Sequence, residues 1–268
     1  MADRILLAFD GSEDSCRAAA WAGAVAAARG GAEVDIVHAL TLPAIPVGGW
    51  EIPVGELLDR HEREMRALAE RERVALEAAG VPAALFLRRW LPVDTLLEHA
   101  AERRVDLIVL GPHGHGLRRL RIGSTSAAVA YAAAVPVVVV RGEPVAAPPG
   151  RVVVAMDGSP ASDAAAATIA RWFPAAQVTA AQVAGAEAEM ESAELVERLV
   201  RAGVAAGRAA AVQLEGSAAG ALVDFAEGTG AELLAVGRRG VHGLAGLLLG
   251  SVSAKLLQIS PCPLLVAH

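Results

Sequence analysis

The segment Arg4-Ile-Leu-Leu-Ala-Phe-Asp10-Gly-Ser returns later in the chain as Arg151-Val-Val-Val-Ala-Met-Asp157-Gly-Ser, and Val135-Pro-Val-Val-Val returns as Cys262-Pro-Leu-Leu-Val. The 268 residues are therefore an internal duplication, and whatever architecture one half adopts the other must adopt as well. From Asp10 to Gly111 the span is 101 residues, and between the matching Asp157 and Gly237 it is 80, so the second copy is shorter by 21. Most of that shortfall is expected around 41–54 and in part of the helix that follows.

Within the first copy, short apolar runs alternate with helical patterns, which is the signature of βαβ units and a parallel sheet. Strands are predicted over 4–10, 32–39, 84–89, 107–110 and 137–141, and helices over 12–29, 55–79, 92–103 and 124–133. On the second helix Leu58, His61, Met65, Leu68 and Leu76 form one face. Strands apolar on both faces belong inside a sheet, whereas polar ones lie at its edge. Ile5 to Phe9 and Leu107 to Leu110 read as central, and 84–89, ending in Arg88-Arg89, reads as an edge. The fifth strand, Val137-Val-Val-Val140, is too apolar for an open edge and is predicted to pair with Leu264-Leu-Val266 of the other half. The Pro- and Gly-rich stretch 142–150 reads as a linker, dividing the chain into domains 1–147 and 148–268.

Composition narrows the function. A net charge of −6 argues against a general binder of nucleic acid or anionic membrane, and 3% aromatic residues leaves few stacking platforms for single strands. The longest apolar run, 127–140, is broken by Pro136 and falls short of the roughly 20 residues of a membrane span. Cys16 and Cys262 form no CxxC or paired-ligand pattern, and no secretory signal precedes the first strand, so the expected location is cytoplasmic.

Each half carries a glycine-rich loop after its fourth strand. The second reads Gly237-Arg-Arg-Gly240, then nine residues, then Gly250-Ser251-Val252-Ser253 opening a helix. The first has Gly111-Pro-His-Gly114 and Gly123-Ser124-Thr125-Ser126. Glycines allow positive φ and close main-chain approach, and a helix N-terminus adds unpaired donors and positive potential, so such loops suit an anion such as phosphate. Asp10 and Asp157 close the first strand of each half, where an acceptor suits a ribose hydroxyl or an adenine amino group. The same Asp-Gly-Ser also serves as a helix cap.

These residues resemble a tandem universal stress protein over essentially the whole chain. The family pattern G-x2-G-x9-G-[S/T] is matched at full spacing by Gly237, Gly240, Gly250 and Ser251, with Val252 following. The resemblance implies an α/β fold of two repeated, doubly wound five-stranded parallel sheets in the order 3-2-1-4-5, with helices on both faces. It also implies ATP, with or without Mg, between the ends of strands one and four. Asp157 would contact the nucleoside, the Val183 backbone would meet adenine, and the glycine loop with Ser251 and Val252 would hold the phosphates. In the first half Asp10, Ala39, Gly111, Gly114, Gly123, Ser124 and Thr125 take the corresponding places. Only eight residues separate Gly114 from Gly123, so tighter ATP binding is expected of the second half.

The role so implied is a nucleotide-dependent regulatory module of the stress response, built as an intramolecular pseudo-dimer, with further homodimerisation open. The competing readings are a slow ATPase or phosphotransferase and a structural pseudo-dimer that has lost its ligand. No catalytic residue is evident, since no P-loop, GxSxG or Ser-His-Asp arrangement is present. His113 and His115 form an HxH without partner ligands, so no metal site is expected. Arg118, Arg119 and Arg121 are the candidates for compensating the shortened loop.

Overall fold

The structure, a computed structural model, describes residues 2–41, 54–114, 122–142, 148–185, 190–238 and 250–268. The first half runs β1 (Arg4–Ala8), α1 (Glu13–Arg29), β2 (Glu33–Ala39), α2 (Val54–Ala78), β3 (Ala83–Arg88), α3 (Pro92–Arg103), β4 (Leu107–Leu110), α4 (Ser124–Ala132) and β5 (Val137–Val139). The second runs β6 (Arg151–Ala155), α5 (Pro160–Trp172), β7 (Gln177–Val183), α6 (Ser192–Arg201), β8 (Ala209–Leu214), α7 (Ala218–Thr229), β9 (Leu233–Gly237), α8 (Ser251–Ile259) and β10 (Leu264–Ala267). The stretch between β2 and β3 covers 40–82, against 184–208 between β7 and β8, and accounts for most of the shortfall of the second copy.

The expected order 3-2-1-4-5 holds in each half, but the two sheets are fused into one of ten strands, β3-β2-β1-β4-β5-β10-β9-β6-β7-β8. All pairings within a half are parallel; at the seam β5 and β10 run antiparallel, with Leu264 opposite Val139, Leu265 opposite Val138 and Val266 opposite Val137. A twofold relation between equal halves demands this polarity, and pairing removes the two edges that would otherwise be open. The free edges are β3 and β8, the former as expected from its polar end.

Alternation along the strands divides the core in two. Ile5, Leu7, Val138 and Leu265 pack with Trp21 of α1 and Ile169 of α5 on one face. Leu6, Val137, Val139 and Leu264 pack with Leu96 of α3, Val129 of α4 and Leu256 of α8 on the other. Each layer thus contains residues of both halves, so neither half buries its surface alone. Around the seam Arg171 of α5 reaches Asp3 at 2.6 Å and Asp106 at 2.7 Å, and Trp21 meets Phe173 edge-on with ring centroids 6.0 Å apart.

Some expectations shift. Ser12 is the cap of α1 rather than its first residue, its side chain accepting the Ser15 N–H at 3.2 Å; Ser159 does the same for Ser162 of α5. β1 and β5 stop earlier than expected, at Ala8 and Val139. On α2 the buried stripe passes from Met65 to Ala69 and Leu76, leaving Leu68 exposed, because 3.6 residues per turn carries the core face one position on.

The first half also holds a buried ionic cluster around Asp35, whose place in the second half is taken by Thr179. Asp35 of β2 accepts from His99 at 3.0 Å and from Arg103 at 3.1 Å, both on α3, and His99 is stacked against Phe86 at 4.6 Å. Burial pushes the Asp35 carboxyl upward, but the His99 and Arg103 hydrogen bonds and charges outweigh it and hold it below its ordinary value. Breaking a buried pair by removing one member costs about 3–5 kcal/mol. Asp35→Asn is therefore expected to lose stability of that order at neutral pH. A carboxyl held low when folded contributes above its unfolded value, near 4, and ceases to contribute as pH falls through the folded value. Urea denaturation should thus show a gap between wild type and Asp35→Asn that is constant from pH 7 to 5 and narrows below pH 4.

Candidate functional site

The strand order reverses between β1 and β4, and between β6 and β9, so a crevice opens at their carboxyl ends in each half. Register sets what meets there. In the second half Ala155 is opposite Ala181 and Val154 opposite Ala235, which carries Asp157, Val183 and the end of β9 to one rim. Two interstrand spacings, roughly 10 Å, separate the β7 end from the β9 end across β6. In the first half Ala8 opposite Val37 likewise brings Asp10 level with Ala39.

The repeated Asp-Gly-Ser serves both readings at once. One carboxylate oxygen turns back on the chain, Asp10 Oδ1 accepting the Ser12 N–H and Asp157 Oδ1 the Ser159 N–H, each at 3.0 Å. The serine caps the helix, and the glycine between takes φ +79 at Gly11 and +81 at Gly158, a conformation L residues rarely adopt. The cap orients the Asp at the crevice rim.

The loop glycines work differently from the expectation. Gly111, Gly114, Gly123, Gly237 and Gly250 all lie outside the positive-φ set. A Cβ at Gly111 would stand 2.7 Å from Asp14 Cβ, and one at Gly237 would stand 2.6 Å from the Ala161 carbonyl carbon. These two glycines let the end of β4 or β9 pack directly against the first turn of α1 or α5. Gly114 lies against Asp10: a Cβ there would fall 2.3 Å from Asp10 Oδ2.

Gly123 and Gly250 are the N-caps of α4 and α8, and neither supplies a side-chain cap. Their own N–H groups are taken, Gly123 donating to Pro112 O at 2.7 Å and Gly250 to Arg238 O at 2.9 Å. The Gly250 N–H is thus already bonded, and the donors of the first turn are Ser251, Val252 and Ser253, matched by Ser124, Thr125 and Ser126. Ser126 Oγ and Ser253 Oγ donate back to the carbonyls of Gly111 and Gly237, each at 2.7 Å, clamping the helix start to the strand end. That pair was missed as a functional element, although Ser-x-Ser at both helix starts is a readable repeat. Ser124 and Ser251 stay exposed at the mouth.

Gly240, His115, Arg118, Arg119 and Arg121 lie outside the described residues. His113 Nδ1 faces Asp14 Oδ2 at 3.0 Å, and among the described residues no group of three or more His, Cys, Asp or Glu could hold a metal ion. Cys262 is buried, which raises its thiol to about 11, and Cys16 packs against the core. Among the described residues no helix is long and apolar enough to cross a membrane.

The fold is a doubly wound α/β sheet with a helix start lacking a side-chain cap near each switch point, the place where open sheets of this kind take small ligands. Matches to the family described as universal stress protein cover residues 1–141 and 149–268, and the chain belongs to that family as a tandem member. A universal stress protein of Mycobacterium tuberculosis is 29% identical over 310 residues, spanning 98% of this chain and 96% of the relative. One from Thermus aquaticus is 38% identical over 139 residues, covering 51% of this chain and 97% of its own length. The crystal structure of a universal stress protein from Archaeoglobus fulgidus superposes with a TM-score of 0.76 at 21% identity, covering 100% of this chain and 99% of that one, which bears on the fold.

Proposed function

We propose that the chain is an ATP-binding regulatory module whose working site is the crevice of the second half. The observation that carries this reading is the α8 start: a full-spaced glycine motif ending in a Gly250 cap without a side chain, so that no side-chain cap takes the first-turn donors of Ser251 and Val252. Such a turn offers donors only, which suits a polyphosphate, and Mg would arrive on the nucleotide. Asp157, an acceptor on the same rim as Val183, suits the nucleoside end. Domains 1–147 and 148–268 would then be one nucleotide-binding half and one supporting half, acting in the cytoplasm as a pseudo-dimer.

Phosphoryl transfer needs a positioned base and charge neutralisation beyond binding. Asp157 is engaged in its own turn, accepting the Ser159 N–H at 3.0 Å. Purified protein is expected to release ATP on denaturation, detected by mass spectrometry, and Asp157→Ala to release little. Turnover is expected well below the typical enzymatic value of about 10 per second. Hydrolysis at that rate, abolished in Asp157→Ala, would replace the regulatory reading with an enzymatic one.

A further inference from the structure

Each half of the chain sends an arginine to the C-terminal turn of the helix that follows the other half's glycine loop. Arg141, just after β5, donates from Nη2 to Leu257 O of α8 at 2.5 Å. Arg238, just after β9, donates from Nη1 to Tyr131 O of α4 at 3.2 Å. The two contacts are not copies of one another, because the place of Arg141 is taken in the second half by His268 and that of Arg238 in the first by Pro112. Arg141 also walls, with Asp14 and Gly114, the cavity of about 610 Å³ at the first crevice, so it stands between the two sites.

The contact on α8 fills a gap that the sequence leaves. A carbonyl in the last turn of a helix looks for an N–H three or four residues on. For Leu257 these are Ser260, whose N–H is already given to Leu256 O at 2.8 Å, and Pro261, which has none. Arg141 supplies the donor from the other half, and its charge is favoured at a helix C-terminus. The opposite end of the same helix is held within the second half, Gly250 donating to Arg238 O at 2.9 Å and Ser253 Oγ to Gly237 O at 2.7 Å. Leu257 lies about 9 Å along the axis from Ser251. Because α8 is a single element of 9 residues, a displacement at one end is carried to the other.

We infer that Arg141 is a positioning residue for the nucleotide crevice of the second half: by capping α8 from the first half it sets where the Ser251 and Val252 N–H groups stand, so that phosphate affinity in one half depends on a side chain of the other. This rests on the reading of that crevice as the ATP site. The nucleoside end, at Asp157 and Val183, is carried by the ends of β6 and β7 rather than by α8, so the dependence falls on the phosphates and not on adenosine. The contact of Arg238 with α4 ties the second glycine loop to the first half in the same sense.

The test is calorimetric titration of ATP and of adenosine into the full chain as wild type, Arg141→Met and Arg141→Lys, each checked for folding by circular dichroism. Arg141→Met is expected to weaken ATP about tenfold, the net worth of roughly one hydrogen bond, and to leave adenosine unchanged. Arg141→Lys keeps a cation and a donor and should recover most of the loss. The same factor is expected when Arg141→Met is made in Gly123→Val, whose first crevice is altered. An unchanged ATP affinity in Arg141→Met, an equal loss for adenosine, or a loss that vanishes in the Gly123→Val background overturns the positioning role. The ¹⁵N–¹H signals of Ser251 and Val252 in the ligand-free chain report on the helix start directly: they should shift in Arg141→Met and return toward wild type in Arg141→Lys. If wild type binds no ATP, the nucleotide reading fails by itself, and Ser251 and Val252 signals that stay in place in Arg141→Met are then what overturns the positioning role.

Discussion

Val139→Lys is expected to abolish the folded state of the whole chain. Val139 sits opposite Leu264 in the antiparallel seam and is completely buried, within the layer that also contains Leu256 of α8 and Val129 of α4. A lysine there would bring an ammonium to a place with no carboxylate, and the walls on either side are aliphatic. An unpaired buried charge costs far more than the usual 0.5–3 kcal/mol of a point substitution, against a total stability of about 5–15 kcal/mol. Because both core layers cross the seam, the loss should not stay local. Circular dichroism and size exclusion should report an unfolded or aggregated chain. Val139→Ala removes two methyl groups at the same place and should remain folded with a loss of about 1–3 kcal/mol. If Val139→Lys instead gave a stable chain with two independently melting halves, the single-sheet account would be wrong.

The seam was legible in the sequence for a physical reason. Strands that are buried on both faces must be apolar at every position, and Val137 to Val140 met that condition while lying fifth in an order that placed them at an edge. An apolar edge implies a partner, and Leu264 to Val266 was the matching segment. The ends of elements were less legible. Asp-Gly-Ser was read as cap or ligand contact, and the structure shows the Ser capping the helix while the Asp two residues before it accepts the Ser N–H. The glycines misled in a different way. Glycine is needed both where φ is positive and where no Cβ fits, and sequence alone does not separate the two: Gly11 and Gly158 are the first case, Gly111 and Gly237 the second. The Asp35–His99–Arg103 cluster had no sequence signal at all, since its members come from β2 and α3 and meet only through the sheet.

The two halves should differ sharply in nucleotide affinity. The second keeps the full motif spacing, whereas the first lacks one residue between Gly114 and Gly123, and there Gly114 is drawn against the Asp10 carboxylate where the nucleoside would lie. One residue of chain spans up to about 3.5 Å, more than the tolerance of a hydrogen bond of roughly 2.7–3.2 Å. Gly250→Val is a clean probe of the second site, because Gly250 has φ −60 and ψ 152, which valine adopts without strain. Its branched side chain would fill the approach to the first-turn donors while the α8 start remains intact. Losing two charge-assisted hydrogen bonds, each worth about 1.5–3 kcal/mol, predicts a fall in ATP affinity of at least about 100-fold.

Gly123→Val is the matched control at the first site; its Cβ would lie 3.2 Å from Pro112 O, so a small adjustment there is expected. The decisive measurement is calorimetric titration of ATP into wild type, Gly250→Val and Gly123→Val, each checked for folding by circular dichroism. The account predicts one strong site in wild type, retained in Gly123→Val and lost in Gly250→Val. Strong binding that survives Gly250→Val and disappears in Gly123→Val would contradict it, and would place the working site in the first half.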